Sequence, residues 1–149
     1  KVYSRGQETY PVPIQGGVLT PQVPVFRHGP ERGYAYREPF YVDLIASAAY
    51  ICIPGQSNRP ADDRAYEAGT KEKMRLQCRV AIQNGNDSLL LSAFGCGAFR
   101  NDPTIIARWY AEVLNEDEFR GVFRNITFGI VDRGGTRNFE IFRDNFPRV

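Results

Sequence analysis

Two glycines flank a cysteine in Phe94-Gly95-Cys96-Gly97-Ala98-Phe99, directly after the apolar run Leu89-Leu90-Leu91 and just before Asn101-Asp102-Pro103. Glycine costs conformational entropy, so two of them between a strand and a helix start need a reason. Their dihedral freedom lets successive amide N–H groups turn toward one point, and such a concavity binds anions, phosphate above all. Neither Gly95 nor Gly97 carries a side chain that would crowd a ligand. The run is not a Walker loop, since it lacks the Lys-Ser/Thr ending. It is not the dinucleotide fingerprint either, since the third glycine is missing. Asp102 would cap the next helix with its own negative charge. A phosphate would therefore use the loop amides and not the helix dipole. On spacing alone, a tight strand-to-helix turn accounts for the same residues equally well.

Other reactive side chains read more simply. His28 is the single histidine; a triad with a cysteine is conceivable, but a Gly/Pro-flanked loop is the plainer setting. Cys96 lies in the anion loop, where converging amides would lower its pKa. A small residue tolerated beside glycines explains it more economically than a nucleophile does. Asp62-Asp63 suits a divalent cation or, more commonly, the acidic first turn of a helix. Lys71, Lys73, Arg75 and Arg79 form a basic stripe read as a solvated helix face, with Glu67 and Glu72 nearby. Trp109 and Tyr110 read as core.

These residues need elements to position them. Residues 1–40 show no helical period. Tyr10-Pro11-Val12-Pro13 and Pro21-Gln22-Val23-Pro24 look extended, Gly16-Gly17 a turn, Val23 to Phe26 a short edge segment, and His28 to Gly33 a loop. Tyr41 to Ser47 reads as a strand and residues 53–63 as a loop. A helix follows, strongest over Lys71–Asn84, with Met74, Cys78, Ala81 and Ile82 on one face. It stops at Asn84-Gly85-Asn86. Ser88–Phe94 is the best strand, and its non-alternating leucines predict cover on both faces. Asp102 and Pro103 then start a helix to about Asn115, with Ile106, Trp109, Tyr110 and Val113 inward. Ile126–Val131 is another strand. Asp132 to Thr136 turns into a last short helix carrying Phe139, Ile141 or Phe142, and Phe146. Alternating strands and helices predict a sheet with helices on both sides.

The chain has 149 residues, 42% of them hydrophobic, which fits one globular domain and not two. The expected division is an extended, loop-rich segment over residues 1–40 packed on an alternating core over 41–149. With 19 basic and 17 acidic residues, the balance gives no footprint for nucleic acid or an anionic membrane. No run approaches a membrane span, and the cysteines have no metal-type spacing. Three cysteines read as reduced thiols of a cytoplasmic or nuclear protein.

Several blocks agree, in order, with one family. Ser92-Ala93-Phe94-Gly95-Cys96-Gly97-Ala98-Phe99-Arg100-Asn101-Asp102-Pro103 resembles the phosphate loop of macrodomains, and more narrowly that of the microbial-type poly(ADP-ribose) glycohydrolases, with a fungal flavour. Gly17 to Arg27, Asp43 to Ala49, Phe119 to Phe123, Ile126 to Ile130 and Asn138 to Phe142 are similar to further segments of that family. The resemblance covers the chain from about Tyr10 onward. It implies a three-layer α/β/α macrodomain fold with a mixed central sheet that binds ADP-ribose, and it brings in no cofactor. By position, the amides of Gly95, Cys96, Gly97, Ala98 and Phe99 would hold the diphosphate, and Phe99 would pack beside the distal ribose. Ser47 and Ala48 would line the cleft floor, and Asp132 and Asn138 would lie toward the adenosine end.

One departure matters. The family's catalytic element is Gly-Gly-Gly followed by Gln-Glu-Glu, whose glutamic acid protonates the leaving group in glycoside cleavage. Here the single Gln-Glu pair is Gln7-Glu8, with no glycine triplet before it. The resemblance therefore implies that the chain starts after the catalytic acid and the first strands of the domain. It assigns no catalytic residue, and the chain alone is expected to be inactive. The element would belong to a longer protein, come from a second chain, or be absent from a reduced homologue. Three functions follow as expectations. The first is an ADP-ribosyl glycohydrolase acting on poly(ADP-ribose) or ADP-ribosylated protein once the element is present. The second is a non-catalytic ADP-ribose-binding module. The third is a phosphatase-like or nucleotide-metabolite enzyme using the same loop.

Overall fold

A computed structural model describes residues 15–132 and 135–146. The Tyr10 to Pro13 segment, Gln7-Glu8 and part of the Asp132 to Thr136 turn lie outside the described residues.

The chain opens with a long antiparallel hairpin. Strand β1 (Gly17–Arg27) pairs with β2 (Tyr36–Ser47), from Gly17 opposite Ser47 to Arg27 opposite Tyr36. Sequence reading gave this region only short extended pieces, because Pro21, Pro24 and Pro39 interrupt the pattern. An edge strand tolerates proline, and a bulge absorbs it. The register shifts between Thr20 and Val23. Gln22 there takes φ 56°, and its amide donates to the Asp43 carboxylate at 2.9 Å.

Helix α1 (Asp63–Gln83) begins where Asp62 accepts from the Ala65 amide at 2.8 Å, so the acidic pair is a helix start. Met74, Cys78 and Ala81 are buried, while Ile82 at the margin is 37% exposed. Gly85, at φ 73°, ends the helix turn. Strand β3 (Ser88–Leu91) leads to helix α2 (Pro103–Leu114). Asp102 caps α2 by accepting from the Thr104 amide at 2.8 Å. Ile106, Trp109, Tyr110 and Val113 are all buried, as their spacing predicts. Strand β4 (Asn125–Phe128) pairs parallel to β3, and helix α3 (Asn138–Asn145) closes the described chain.

One core joins the helices to one side of the strands. Tyr66, Met74 and Cys78 of α1 meet Ile106, Trp109 and Tyr110 of α2 and Phe142 of α3, with Ile45, Leu89, Leu91 and Phe128 packed against them. Phe128 sits 5.4 Å from the Tyr110 ring and 5.2 Å from Phe142, centre to centre. The opposite face differs from expectation. Leu90 is 78% exposed and Leu44 52%, so β3 is covered on one face among the described residues, not on both. The basic stripe also needs correcting at one position. Lys73 is buried, its ammonium 4.7 Å from the Tyr50 ring centre, and burial pushes its pKa down to about 8. Arg75 and Arg79 do reach the surface, paired with Glu116 and Glu118.

The sheet is mixed and comes in two pairs, β1–β2 antiparallel and β3–β4 parallel, with no hydrogen bonds between β2 and β3. A cavity of about 730 Å³ lies between those two strands. Among the described residues no helix is long and apolar enough to cross a membrane.

Candidate functional site

The carboxyl ends of β2, β3 and β4 lie along one edge of the molecule. In open α/β sheets that edge is where ligands sit. The loop after β3 is built around Asn101, which is almost wholly buried. Its side-chain amide donates to the Tyr50 carbonyl at 2.8 Å and to the Gly95 carbonyl at 3.0 Å. Its Oδ1 accepts from the Tyr66 hydroxyl at 2.6 Å. Its backbone amide also reaches the Gly95 carbonyl, at 3.0 Å. One side chain thus ties the loop to the end of β2 and to α1. The Cys52 amide adds a second tie by donating to the Phe99 carbonyl at 2.8 Å. Burial, then the Cys52 contact, pushes the Tyr66 hydroxyl well above the usual tyrosine range, so it stays a donor.

Gly95 is required by geometry. Its φ is 74°, and a Cβ there would lie 2.6 Å from both Ala49 Cβ and Asn101 Nδ2. The loop can close onto β2 only with a hydrogen at that position. Gly97 differs, because a Cβ there would meet nothing within 4 Å. The turn is held by Cys96 N–H to Ala93 O, Arg100 N–H to Gly97 O and Asn101 N–H to Gly95 O, each at 3.0 Å. The amides of Gly97, Ala98 and Phe99 donate to no acceptor among the described residues. Three consecutive N–H groups on a pinned loop are thus left without an acceptor among the described residues, which an anion-binding loop requires.

Cys96 points the other way. It is buried, with Sγ 3.7 Å from the Phe94 carbonyl. Burial first, then the charges of Asp102 and Cys52, push its thiol up to about 12. That opposes any activation by the loop amides and removes Cys96 as a nucleophile at neutral pH. Phe99 keeps its ring 36% exposed beside the free amides. His28 sits in the hairpin turn at the opposite end of β2, about 36 Å from Ser47 at the usual strand rise. That distance rules out a triad with Cys96.

Ser47 lines the cavity between β2 and β3, and its hydroxyl accepts from Gln77 Nε2 at 3.0 Å. Gln77 Oε1 in turn accepts from the Tyr110 hydroxyl at 2.8 Å. Ala48 follows at the strand end, half-buried. The cavity reaches Phe94 and Ser47, so it opens beside the glycine loop. Asp132 and Asn138 belong to the neighbouring strand end and contact each other, not the loop. The Asp132 carboxylate accepts from the amides of Asn138 and Phe139, both at 3.1 Å. Asn101, Tyr66 and Cys52 are the supporting residues that sequence reading missed. The signal available for Asn101 was its place directly before the Asp-Pro helix start.

The nearest carboxylate in sequence to the loop, Asp102, is engaged in capping α2. Among the described residues, no group of three or more His, Cys, Asp or Glu could hold a metal ion.

No family model matches the chain, and no curated protein does. Solved structures do. A crystal structure of poly(ADP-ribose) glycohydrolase from Deinococcus radiodurans in complex with ADP-ribose is 33% identical with a TM-score of 0.72, over 85% of this chain and 50% of that one. A second crystal form of that complex gives 32% and 0.74, over 88% and 52%. The Thermomonospora curvata poly(ADP-ribose) glycohydrolase gives 27% and 0.73, over 89% and 47%. The chain spans about half the length of the solved structures it matches.

Proposed function

The chain belongs to the microbial-type poly(ADP-ribose) glycohydrolase family of macrodomains, and from that premise we propose that it binds ADP-ribose through the loop Gly95–Phe99. The observation that carries this reading is the set of free amides at Gly97, Ala98 and Phe99. They lie on a loop that Asn101 fixes to the end of β2. A diphosphate presents several acceptor oxygens, and prepositioned N–H groups bind it without reorganisation. Phe99 offers its exposed ring to the adjacent ribose. Ser47 and Ala48 border the cleft, and the Asp132–Asn138 turn extends the same edge toward the adenosine.

The reaction we assign to the complete fold is hydrolysis of the O-glycosidic ribose–ribose bond of poly(ADP-ribose), or of a related ADP-ribosyl bond on protein. Such cleavage needs a carboxylic acid at the leaving oxygen. Among the described residues, the carboxylate next to the loop in sequence is that of Asp102, and it caps α2. In this reading the loop supplies the binding part of the site, and the acid belongs to the Gly-Gly-Gly…Gln-Glu-Glu element that the family resemblance implies. A non-catalytic ADP-ribose module remains the second reading, favoured by the engagement of Asp102 in capping α2. The three free thiols suit a reducing compartment, the cytoplasm or the nucleus.

Calorimetric titration of ADP-ribose into the 149-residue chain tests binding, and a well-folded chain with no heat refutes the proposal. Incubation with poly(ADP-ribose) then separates the two readings. Release of ADP-ribose only when the Glu-bearing element is added supports the glycohydrolase, and binding without release under both conditions selects the module.

A further inference from the structure

We propose that Arg100 is a specificity-determining residue of the glycine loop: its guanidinium supplies the positive charge that the loop amides lack and pairs with the diphosphate of the ligand. The proposal deepens the ADP-ribose reading and rests on it. Its basis is a backbone conformation that the fold requires, carrying a side chain that the fold does not.

Arg100 takes φ 55°. Left-handed backbone is strained for any residue with a Cβ, whereas glycine adopts it readily. The turn imposes this conformation. The Arg100 amide donates to the Gly97 carbonyl and the Asn101 amide to the Gly95 carbonyl, both at 3.0 Å. The Asn101 side chain then fixes the next residue to the Tyr50 carbonyl. Glycine would therefore suit position 100 better than arginine does. The side chain returns nothing to the fold. It is exposed, and it makes no hydrogen bond, ion pair or ring contact among the described residues. Arg59, Arg75, Arg79 and Arg108, by contrast, each pair with a carboxylate. Strain retained with no return inside the fold points to a partner outside it.

Charge indicates what that partner is. Between Ser92 and Ile106 the charged side chains are Arg100 and Asp102. Asp102 is committed to the Thr104 and Ile105 amides, so it leaves the guanidinium unpaired and adds a negative charge beside the loop. The amides of Gly97, Ala98 and Phe99 are neutral donors. A diphosphate brought to them meets the Asp102 charge as well, and Arg100 offsets that carboxylate. Position allows the contact. A turn of this kind holds its end residues, here Gly97 and Arg100, within about 7 Å, Cα to Cα. An arginine side chain covers that span, and its planar fork matches phosphate oxygens in pairs. Arg100 thus selects a ligand by its phosphate charge, while Phe99 offers its ring to a sugar.

Calorimetry of the 149-residue chain with ADP-ribose and with inorganic pyrophosphate tests the assignment. Arg100→Gln is expected to weaken both ligands by about 20-fold. Arg100→Lys keeps the charge without the fork and should weaken them by less than about fivefold. Raising NaCl from roughly 0.05 to 0.5 M should weaken binding by the original chain more than binding by Arg100→Gln, because the contact removed is ionic. Thermal melts supply the second readout. Arg100→Gly should bind as poorly as Arg100→Gln yet melt about 3 °C higher, since it releases the left-handed strain. Arg100→Gln should melt unchanged. Full affinity in Arg100→Gln, a loss confined to ADP-ribose that spares pyrophosphate, or equal salt dependence in the two chains overturns the proposal. So does a lower melting temperature in Arg100→Gly, which would show that the side chain holds the turn. The two readings fail in different ways. If the original chain binds neither ligand, the loop reading fails and takes this assignment with it. If Gly97→Glu abolishes binding while Arg100→Gln leaves it intact, the loop reading stands and the role of Arg100 alone is dismissed.

Discussion

Two strand-to-helix turns stand side by side on the parallel pair β3–β4, and they treat their backbone amides in opposite ways. After β4, Asp132 folds its carboxylate over the start of α3 and takes the amides of Asn138 and Phe139 for itself. After β3, the capping carboxylate comes later, at Asp102, and engages Thr104 and Ile105. The amides of Gly97, Ala98 and Phe99 stay free. The first turn carries its own anion, and the second leaves three amides without an acceptor among the described residues, which is what the proposed ADP-ribose loop needs. What separates them is where the acid falls relative to the glycines and whether something else holds the loop in place.

Gly97→Glu tests that contrast most severely. The position has open space around it and no left-handed φ, so the fold should accept the side chain with a stability change within about 0.5 kcal/mol. A carboxylate beside the diphosphate site costs several kcal/mol by like-charge contact, so ADP-ribose affinity should fall by about 1000-fold or more. Calorimetry with a thermal melt as control reads both. Unchanged affinity would show that the β3 turn receives no anion and is ordinary.

The loop's inner side should be as inert as its outer side is receptive. The Cys96 thiol is pushed from 9.0 to about 12, chiefly by burial. At pH 8 its alkylation should run about 1000-fold slower than that of a free cysteine, as thiolate fraction dictates. Mass spectrometry of the alkylated chain measures this. The linked effect on stability has a definite sign. The unfolded thiol loses its proton above about pH 9 while the folded one keeps it to about 12, so the folded state binds more protons in that window. The contribution of Cys96 is therefore complete below about pH 9 and is lost progressively as pH rises from there to about 12. Rapid labelling at neutral pH would mean the loop opens and the pinned geometry is wrong.

Asn101→Ala removes the pin. The change leaves the Tyr50 carbonyl and the Tyr66 hydroxyl without the partner they now have, while the Gly95 carbonyl keeps the Asn101 backbone amide. Buried groups so orphaned cost about 1–3 kcal/mol each, part of it recovered by relaxation. A loss of about 3 kcal/mol in unfolding free energy is expected, read by urea denaturation. ADP-ribose affinity should fall as well, although Asn101 touches no ligand. A stable variant with unaltered affinity would show that the backbone alone shapes the loop.

Legibility from the sequence divides along the same lines. Asp102-Pro103 announced the start of α2 because capping is a local interaction, and the stripe of Ile106, Trp109, Tyr110 and Val113 announced its buried face. Gly95 and Gly97 signalled an unusual backbone, but spacing could not say whether the amides were free, since that depends on where Asn101 reaches. Its partners lie at Tyr50 and Tyr66, 51 and 35 residues away in sequence. The hairpin was obscured by prolines that an edge strand and a bulge accommodate. Lys73 looked like one more member of a charged helix face, because a single turn of sequence cannot show that Tyr50 lies over it. The second face of β3 was misread for a related reason: three leucines in a row announce a strand, but not which of its faces the described residues cover.

Asp132→Ala makes the smallest expected change and sharpens the contrast most finely. Asp132 acts as a cap from outside α3, accepting from Asn138, Phe139 and the Thr136 hydroxyl. Losing a capping carboxylate typically costs about 1 kcal/mol. The eight-residue helix is short, and Phe142 anchors it to Tyr110 through Phe128. That packing confines the damage to the first turn. A melt should therefore register a loss of about 1 kcal/mol, with exchange at the Asn138 and Phe139 amides accelerated about fivefold. The amides released there now resemble those of Gly97 to Phe99, and the variant asks whether freedom alone makes a binding site. If pinning by a buried side chain is the deciding feature, the freed turn gains no affinity for inorganic pyrophosphate, because no counterpart of Asn101 holds it in shape. Pyrophosphate binding that appears with the substitution would show that any uncapped turn on this edge suffices, and the distinction between the two turns would reduce to the position of one aspartate.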